Sequence, residues 1–389
     1  MSDIFFGRLP ISNRFQNSVE YDDTLYNLTL VQDDTIGMVR IKTPIPYDEM
    51  TPRFDWLTET EPSKHFEHVA NIIANQFLDD KQDKVLGLSY RDEDLIRFLK
   101  KEKFSNCSII DYSSIEEIVY PGVSQQVKIL SSDDIKGKFI NEGKADLVLA
   151  NRILHHVEDI PGFLDNIKNF LSDNGLLVLE VPDCTSGFEN LDYNIVFEEH
   201  INYFTEYTFK KMIELAGLDI VYYRRYPFPV EDALVAIAKK RTGGKNKKLN
   251  NQILMESNLF KTFGESFPVI KNRINHFVDK YNSEGKTVVF GAGHHGCMFV
   301  NLMGLKDKID CFIDDNSSKQ QYFSPGAGLP IRGSNYLTES NIGLCIVSVS
   351  QVNEEIIVNR IKNLSKKDFP VYSIFSKSSY VLPVFSKKI

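Results

Sequence analysis

Residues 145–183 read ADLVLANRILHHVEDIPGFLDNIKNFLSDNGLLVLEVPD. The apolar runs at either end, ADLVLANR and GLLVLEVPD, have the composition of strands buried on both faces. Between them PGFLDNIKNFLSDNG reads as a helix closed by Gly175. The same alternation extends in both directions. Upstream, KHFEHVANIIANQFL (64–78) is apolar at helical spacing, DKVLGLS (83–89) is a buried strand, DLIRFLKKEKF (94–104) a helix and CSIIDYS (107–113) a strand. Downstream come a helix in TEYTFKKMIELAGL (205–218) and strands in DIVYYRRY (219–226) and ALVAIAKK (233–240). Strands that alternate with helices predict an α/β fold with a mostly parallel sheet.

The flanks differ from this centre. Residues 1–55 are turn-rich, with Pro10, Pro44, Pro46 and Pro52 and short alternating runs in LYNLTLV and GMVRIKT, and predict a small β-rich lobe. KKRTGGKNKKLNN (239–251) has two glycines and no apolar periodicity. Its basic residues are not interleaved with aromatics, so it reads as a solvated linker and not as a nucleic-acid patch. We therefore expect an N-terminal lobe over 1–58, an α/β domain over 59–240, a linker over 241–252 and a second α/β domain over 253–389. A chain of 389 residues is long enough for two to three cores.

Composition narrows the function. The net charge of −8 argues against a general binder of the phosphate backbone, so no nucleic-acid partner is expected. No apolar run is long enough to span a membrane, and MSDIFFGRLPISNRF lacks the pattern of a signal peptide. The five cysteines are scattered without a C-x-x-C pair, which argues against disulfides and structural zinc. A cytoplasmic location is the expectation, and the oligomeric state is open.

The second α/β unit opens on TVVF-Gly291-Ala292-Gly293-His294-His295-Gly296-CMFVNLMGL, followed by IDCFIDDN with Asp314 and Asp315. Strand, glycine turn, helix, strand and acid in that order suit a nucleotide: glycines admit a phosphate to the backbone, and the acid can take ribose hydroxyls. Tyr207 and Lys211 form Y-x-x-x-K but precede the glycine turn, the reverse of the order in short-chain reductases.

Tyr193-Asn194-Ile195-Val196-Phe197-Glu198-Glu199-His200-Ile201-Asn202-Tyr203-Phe204-Thr205, with residues 145–183 ahead of it, resembles a class I S-adenosylmethionine (SAM) methyltransferase core. More narrowly, the chain is similar to sugar C-methyltransferases acting on nucleotide-linked 4-keto-deoxysugars, which carry a tyrosine-x-glutamate-histidine stretch here. GAGHHGCMFVNLMGL, Asp314-Asp315-Asn316, Lys319, Pro325-Gly326, Pro330-Ile331 and the early LPISNRF extend the likeness over most of the chain. The resemblance implies a class I methyltransferase-like domain followed by a second Rossmann-like domain, with SAM as cofactor and no metal. It implies His200 as the base that removes a proton α to a ketone, Glu199 as its partner, and Tyr203 or His156 as polar groups at the sugar. Gly87, Ser89, Asp111 and Asn151 would face SAM. Gly291, Gly293, His294, His295, Gly296, Asn301, Asp315 and Lys319 would face the nucleotide-sugar, the small-molecule partner.

Three departures stand beside that likeness. The family's N-terminal zinc cysteines are absent, and Phe197 replaces the tyrosine before Glu-His. In the SAM loop, which in such enzymes reads acid-x-Gly-x-x-x-Gly, VLGLSYRDEDL places Gly87, Ser89 and Glu93. Glu93 is expected to fill space that glycine leaves open, and Asp92, Glu93 and Asp94 to repel the cofactor's carboxylate. Two alternatives follow: a SAM-independent epimerase or isomerase of a keto-sugar nucleotide, or a non-catalytic nucleotide-sugar binder. Other features read plainly. His65 and His68 are ordinary helix positions, and His155-His156 line the loop after a strand.

Overall fold

The computed structural model describes residues 3–18, 24–54, 63–112, 122–132, 143–229, 231–243, 252–365 and 367–385. Three short strands open it: β1 (Ile4–Leu9), β2 (Tyr26–Gln32) and β3 (Val39–Ile41), paired antiparallel in that order. Helix α1 (His65–Gln76) then leads into the first α/β unit. This runs β4 (Val85–Gly87), α2 (Glu93–Lys101), β5 (Cys107–Ile109), α3 (Val123–Leu130), β6 (Ala145–Asn151), α4 (Ile160–Lys168) and β7 (Leu171–Asp183).

After the short α5 (Thr185–Glu189), the strand β8 (Asn202–Tyr203) leaves this unit and pairs antiparallel with β3, Val39 opposite Tyr203. The chain returns through α6 (Glu206–Leu215), β9 (Leu218–Tyr226) and β10 (Asp232–Lys240). The resulting sheet has the order β5-β4-β6-β7-β10-β9 and is parallel except for β10, as the alternation predicts. Apolar side chains cover both of its faces, Phe163, Leu164 and Ile167 among those on one side and Val69, Ile73 and Leu99 among those on the other.

The C-terminal unit begins with α7 (Ile253–Asn282), a 30-residue helix with Pro268 inside it. It continues with β11 (Lys286–Phe290), α8 (His294–Met303), β12 (Cys311–Ile313), β13 (Ile331–Arg332), α9 (Tyr336–Glu339), β14 (Ile342–Val347), α10 (Gln351–Leu364) and β15 (Val371–Ser373). Its five strands are parallel, in the order β13-β12-β11-β14-β15. In both units the chain reverses direction across the sheet beside a central strand, β4 in the first and β11 in the second. Such switch points open crevices at the carboxyl ends of the strands.

The helix expected to close on Gly175 is shorter than its pattern. It ends at Lys168, and β7 already starts at Leu171. A Cβ at Gly175 would lie 2.9 Å from the Ala145 carbonyl, so this glycine admits the neighbouring strand and caps nothing.

One apolar core spans distant parts of the chain. Phe6, Leu28 and Val39 from the N-terminal strands share it with Phe188, Tyr193, Phe197 and Tyr203, and with Phe263, Phe299 and Phe375. Phe6 and Phe267 meet edge to face at 4.6 Å between centroids, and Tyr193 lies 4.4 Å from Phe263. The segment between β7 and β8 is therefore held by the N-terminal strands and the C-terminal unit together. Burial of these aromatics supplies the hydrophobic drive for that joint, since each ring removes a large apolar area from water.

Candidate active site

The segment Phe197–His200 lies where those parts meet. Phe197 is buried and stands edge-on to three imidazoles, with centroids 4.9 Å from His200, 4.6 Å from His294 and 4.8 Å from His295. His155 and His156, on the short 3-10 turn after β6, complete the group. His155 lies 4.6 Å from His200 and His156 5.4 Å from it, both nearly perpendicular. Five of the chain's eight histidines thus gather here, three against Phe197 and two against His200. The structure brings together His156, Glu199 and His200, expected at the reacting sugar, with His294 and His295, expected at the nucleotide-sugar from the second α/β unit.

Their protonation follows from burial. His155 and His156 are 3% and 2% exposed. Desolvation pushes the pKa of His156 down to about 3, with the positive charge of Arg91 adding to it. His155 is likewise driven well below the usual range, first by burial and then by its neighbours His156, His200, Arg91 and Arg152. Both rings are neutral at physiological pH. His156 Nδ1 lies 2.9 Å from the Glu199 carbonyl, which can only accept, so Nδ1 carries the proton and Nε2 keeps its lone pair. That Nε2 is a buried acceptor with no hydrogen-bond partner among the described residues.

A nitrogen from each of His155, His156 and His200 lies within 4.8 Å of the other two, close enough for a divalent ion. A neutral imidazole can ligate such an ion or carry a proton, and the burial that keeps His155 and His156 neutral suits both.

The two glutamates before His200 have separate tasks. Glu198 is buried and accepts hydrogen bonds from both the backbone N and the Oγ of Ser12, each at 2.6 Å. Its other oxygen lies 3.6 Å from His294 Nε2. Burial alone would raise its pKa, but His294 and Ser12 outweigh burial and bring it down to about 2. Glu199 accepts from Asn13 Nδ2 at 3.2 Å. Arg14 in turn donates to the carbonyls of Glu49 and Thr51, so Ser12-Asn13-Arg14 ties the N-terminal lobe to the Glu-Glu-His segment. Tyr47 extends the tie: its hydroxyl donates to the His156 carbonyl and accepts from the Glu158 N–H. The sequence analysis quoted Ser12, Asn13 and Arg14 within LPISNRF only as part of the resemblance, without a role, and did not single out Tyr47. The signal was the polar run Ser-Asn-Arg inside an apolar stretch, where burial demands a partner.

Tyr203 is a brace. It is fully buried, and its hydroxyl accepts from the Phe197 N–H and donates to the Phe197 carbonyl. Both bonds face the loop backbone, so its place is behind the base segment, away from the position expected at the sugar.

In the C-terminal turn, Gly291 has φ +107° and a Cβ there would lie 2.9 Å from Ser348 Oγ. A Cβ at Gly296 would lie 2.6 Å from the Gly291 carbonyl. These two glycines serve the turn itself, whereas Gly293 has nothing within 4 Å of its Cβ position and faces open space. The Asp314 carboxylate accepts from the Ala292 N–H, and Lys319 Nζ joins both Asp314 and the Ala292 carbonyl. Asn301 donates to the Pro325 carbonyl, and Asp315 pairs with Arg360 and accepts from Ser334 N. Lys319 therefore braces the turn, while Asn301 and Asp315 hold the backbone at Pro325 and Ser334.

At the first turn, Gly87 ends β4, and Ser89 follows in an extended conformation, φ −146° and ψ 168°, that any residue adopts. Glu93 is exposed on the first turn of α2, so its side chain does not fill the loop as expected from sequence. Asp92 is the side chain that turns inward, fully buried. Its carboxylate accepts from Leu88 N and Ser89 N on one oxygen and from Asn151 N and Nδ2 on the other. Asp111 is exposed just past the end of β5, and Tyr112 donates to the Leu88 carbonyl. Gly87, Ser89 and Asn151 thus meet around Asp92. The buried Asn151 Oδ1 has no hydrogen-bond partner among the described residues, a feature that fits a donor group on a bound cofactor.

Residues 63–223 match the family model "Methyltransferase domain", and residues 245–368 match "C-methyltransferase C-terminal domain". A curated relative, C-methyltransferase NovU of Streptomyces niveus, is 24% identical over 199 residues, 49% of this chain and 47% of that protein. The chain thus spans about half the length of the curated relative it matches. Solved structures to which the chain is similar include 1,6-didemethyltoxoflavin-N1-methyltransferase of Burkholderia thailandensis, with 1,6-didemethyltoxoflavin and S-adenosylhomocysteine bound. It is 16% identical, covers 54% of this chain and 97% of that one, and has a TM-score of 0.35. A SAM-dependent methyltransferase of Clostridium acetobutylicum is 11% identical over 46% of this chain and 93% of that one, with a TM-score of 0.30.

Proposed function

Because the chain belongs to the C-methyltransferase family, we propose that it methylates a carbon α to the ketone of a nucleotide-linked deoxysugar. In this reading SAM is the methyl donor and the C-terminal unit holds the nucleotide. The observation that carries it is the gathering of both halves of the chemistry on Phe197. The Glu-Glu-His segment and the histidines of the glycine turn touch the same ring, so a ligand on the turn lies beside His200.

A proton α to a ketone is too weakly acidic to leave unaided, and base and enolate stabiliser must act together. His200, half-buried at the mouth of the cluster, takes the proton. His156 stays neutral, is held by the Glu199 carbonyl through Nδ1, and offers its unshared Nε2 to a donor on the sugar. With Phe197 in place of a tyrosine, the keto oxygen finds its donors among the histidines and Arg91. SAM, when bound, supplies an electrophilic methyl group to the enolate carbon. The buried Phe197 ring keeps one side of that carbon apolar.

The test has two arms. With SAM, the protein is incubated with 4-keto-deoxysugar nucleotides and the product mass is read for an added methyl group. Without SAM, the sugar is examined for deuterium taken up from heavy water. Methyl gain supports the reading. Deuterium uptake with no methyl gain would replace it with an epimerase or isomerase that uses the same base, and neither signal would leave a nucleotide-sugar binder.

A further inference from the structure

A Cβ built on Gly87 would lie 2.9 Å from the Asp92 Cβ, so the two positions compete for one side-chain volume. Gly87 stands where the family's loop carries its acid, at the end of the first strand of the α/β unit. The carboxylate that such a loop lacks at 87 enters the same space from 92, one turn later in the chain. It is fully buried and accepts all four donors that surround it: Leu88 N, Ser89 N, Asn151 N and Asn151 Nδ2. Because a carboxylate only accepts, the Asn151 amide must point its NH2 at Asp92. Its Oδ1 therefore faces away, buried and without a partner among the described residues.

We propose that Asp92 is the transposed acid of the cofactor loop, and that it positions Asn151 so that Asn151 Oδ1 accepts a hydrogen bond from the ammonium group of the donor's amino-acid end. The inference rests on SAM being the donor. Asp92 is a positioning residue and Asn151 makes the contact. A buried carbonyl oxygen left unpaired costs free energy, and a cationic N–H donor is the partner that removes the penalty most fully. Gly87 does not lie in the left-handed region, so an acid can be returned to it once the side chains of Ile96 and Ile109, each 3.1 Å from its Cβ position, give by a few tenths of an ångström. An alanine at 92 would still collide with a side chain at 87, so the exchange requires glycine at 92.

The experiment titrates two probes into the wild-type protein, D92N, N151A and the exchanged variant Gly87→Asp with Asp92→Gly. S-adenosylhomocysteine carries the amino-acid end, and 5′-methylthioadenosine lacks it. D92N and N151A are expected to weaken S-adenosylhomocysteine about tenfold or more while leaving 5′-methylthioadenosine unchanged. The exchanged variant is expected to recover most of that loss. Thermal unfolding of each variant establishes that it is folded. Equal loss of both probes in folded D92N, or no loss of either, overturns the proposal, as does an exchanged variant that is folded yet no tighter than D92N. If the wild-type protein binds neither probe, the SAM reading itself fails and this one with it. If it binds both and only the variants behave otherwise, the SAM reading survives alone.

Discussion

The chain contains two strand-to-helix turns of the same architectural kind, and they solve one problem differently. The C-terminal turn, Gly291 to Gly296, follows β11, uses glycine where φ is positive or the backbone approaches closely, and takes its carboxylate from Asp314, just past the end of the neighbouring strand β12. The first turn, Gly87 to Asp92, follows β4, has one glycine, and takes its carboxylate from its own helix start. In each case an acid accepts the N–H groups of the turn. Glycine content is thus a poor guide to whether such a turn is intact. Backbone dihedrals and the source of the counter-charge decide it: Ser89 is extended and tolerates a side chain, whereas Gly291 at φ +107° does not.

The sharpest contrast in function is between His200, on the segment that joins β7 to β8, and His294, on the C-terminal turn. H200A is expected to lower kcat about 10²–10⁴-fold, the range lost when a general base is removed. H294A, on the second turn, is expected to act mainly on KM, about tenfold. Steady-state methyl transfer with the keto-sugar nucleotide would read both. A kcat loss for H294A as large as that for H200A would break that contrast.

Stability offers the next contrast. Gly291→Ala combines a strained φ with contacts to Ser348 and is expected to cost about 2–4 kcal/mol in denaturant unfolding. Ser89→Gly, in an already permissive conformation, is expected to change stability by less than about 1 kcal/mol. An intermediate effect is expected for Lys319→Met, which leaves Asp314 with the Ala292 N–H but removes its cation: about 1–2 kcal/mol. If Lys319 instead contacts the nucleotide, the loss would appear in KM with stability unchanged.

The clearest pH dependence belongs to Glu198. Its folded pKa of about 2 lies below the ordinary 4.5, so the ionised form contributes stability above about pH 4.5. That contribution is lost as pH falls from 4.5 toward 2. The stability difference between the wild-type protein and E198Q should therefore shrink over this window. A difference constant across it would mean that Glu198 is not held as an anion by Ser12 and His294.

Much of the fold was legible because it is written in local periodicity: the parallel sheet, its helices and the C-terminal turn follow from apolar spacing and glycines within short windows. The grouping of His200 with His156 was legible through resemblance. The first turn was not, because the eye looks for acid and glycines at fixed places, and here the acid sits five residues later at Asp92 while Glu93, the conspicuous misfit, turns out to solvent. Ser12 and Tyr47 were hidden for another reason. Ser12 meets Glu198 across 186 positions of sequence and Tyr47 meets His156 across 109, and no pattern in one window encodes such a meeting. Tyr203 was misplaced because a tyrosine near a base suggests a substrate contact, whereas its hydroxyl bonds the backbone behind that base.

The pairing of β3 with β8 has a consequence for how the protein is made. Val39 and Arg40 are synthesised long before their partners Tyr203 and Asn202. At ribosomal speeds of about 5–20 residues per second, that interval is roughly 8–33 s. During it the N-terminal strands have left the exit tunnel with neither their fourth strand nor the aromatic residues of the C-terminal unit that complete their core. The opening segment of this chain is therefore a nascent region with exposed strand edges, the kind of surface that chaperones recognise while the rest of the polypeptide emerges.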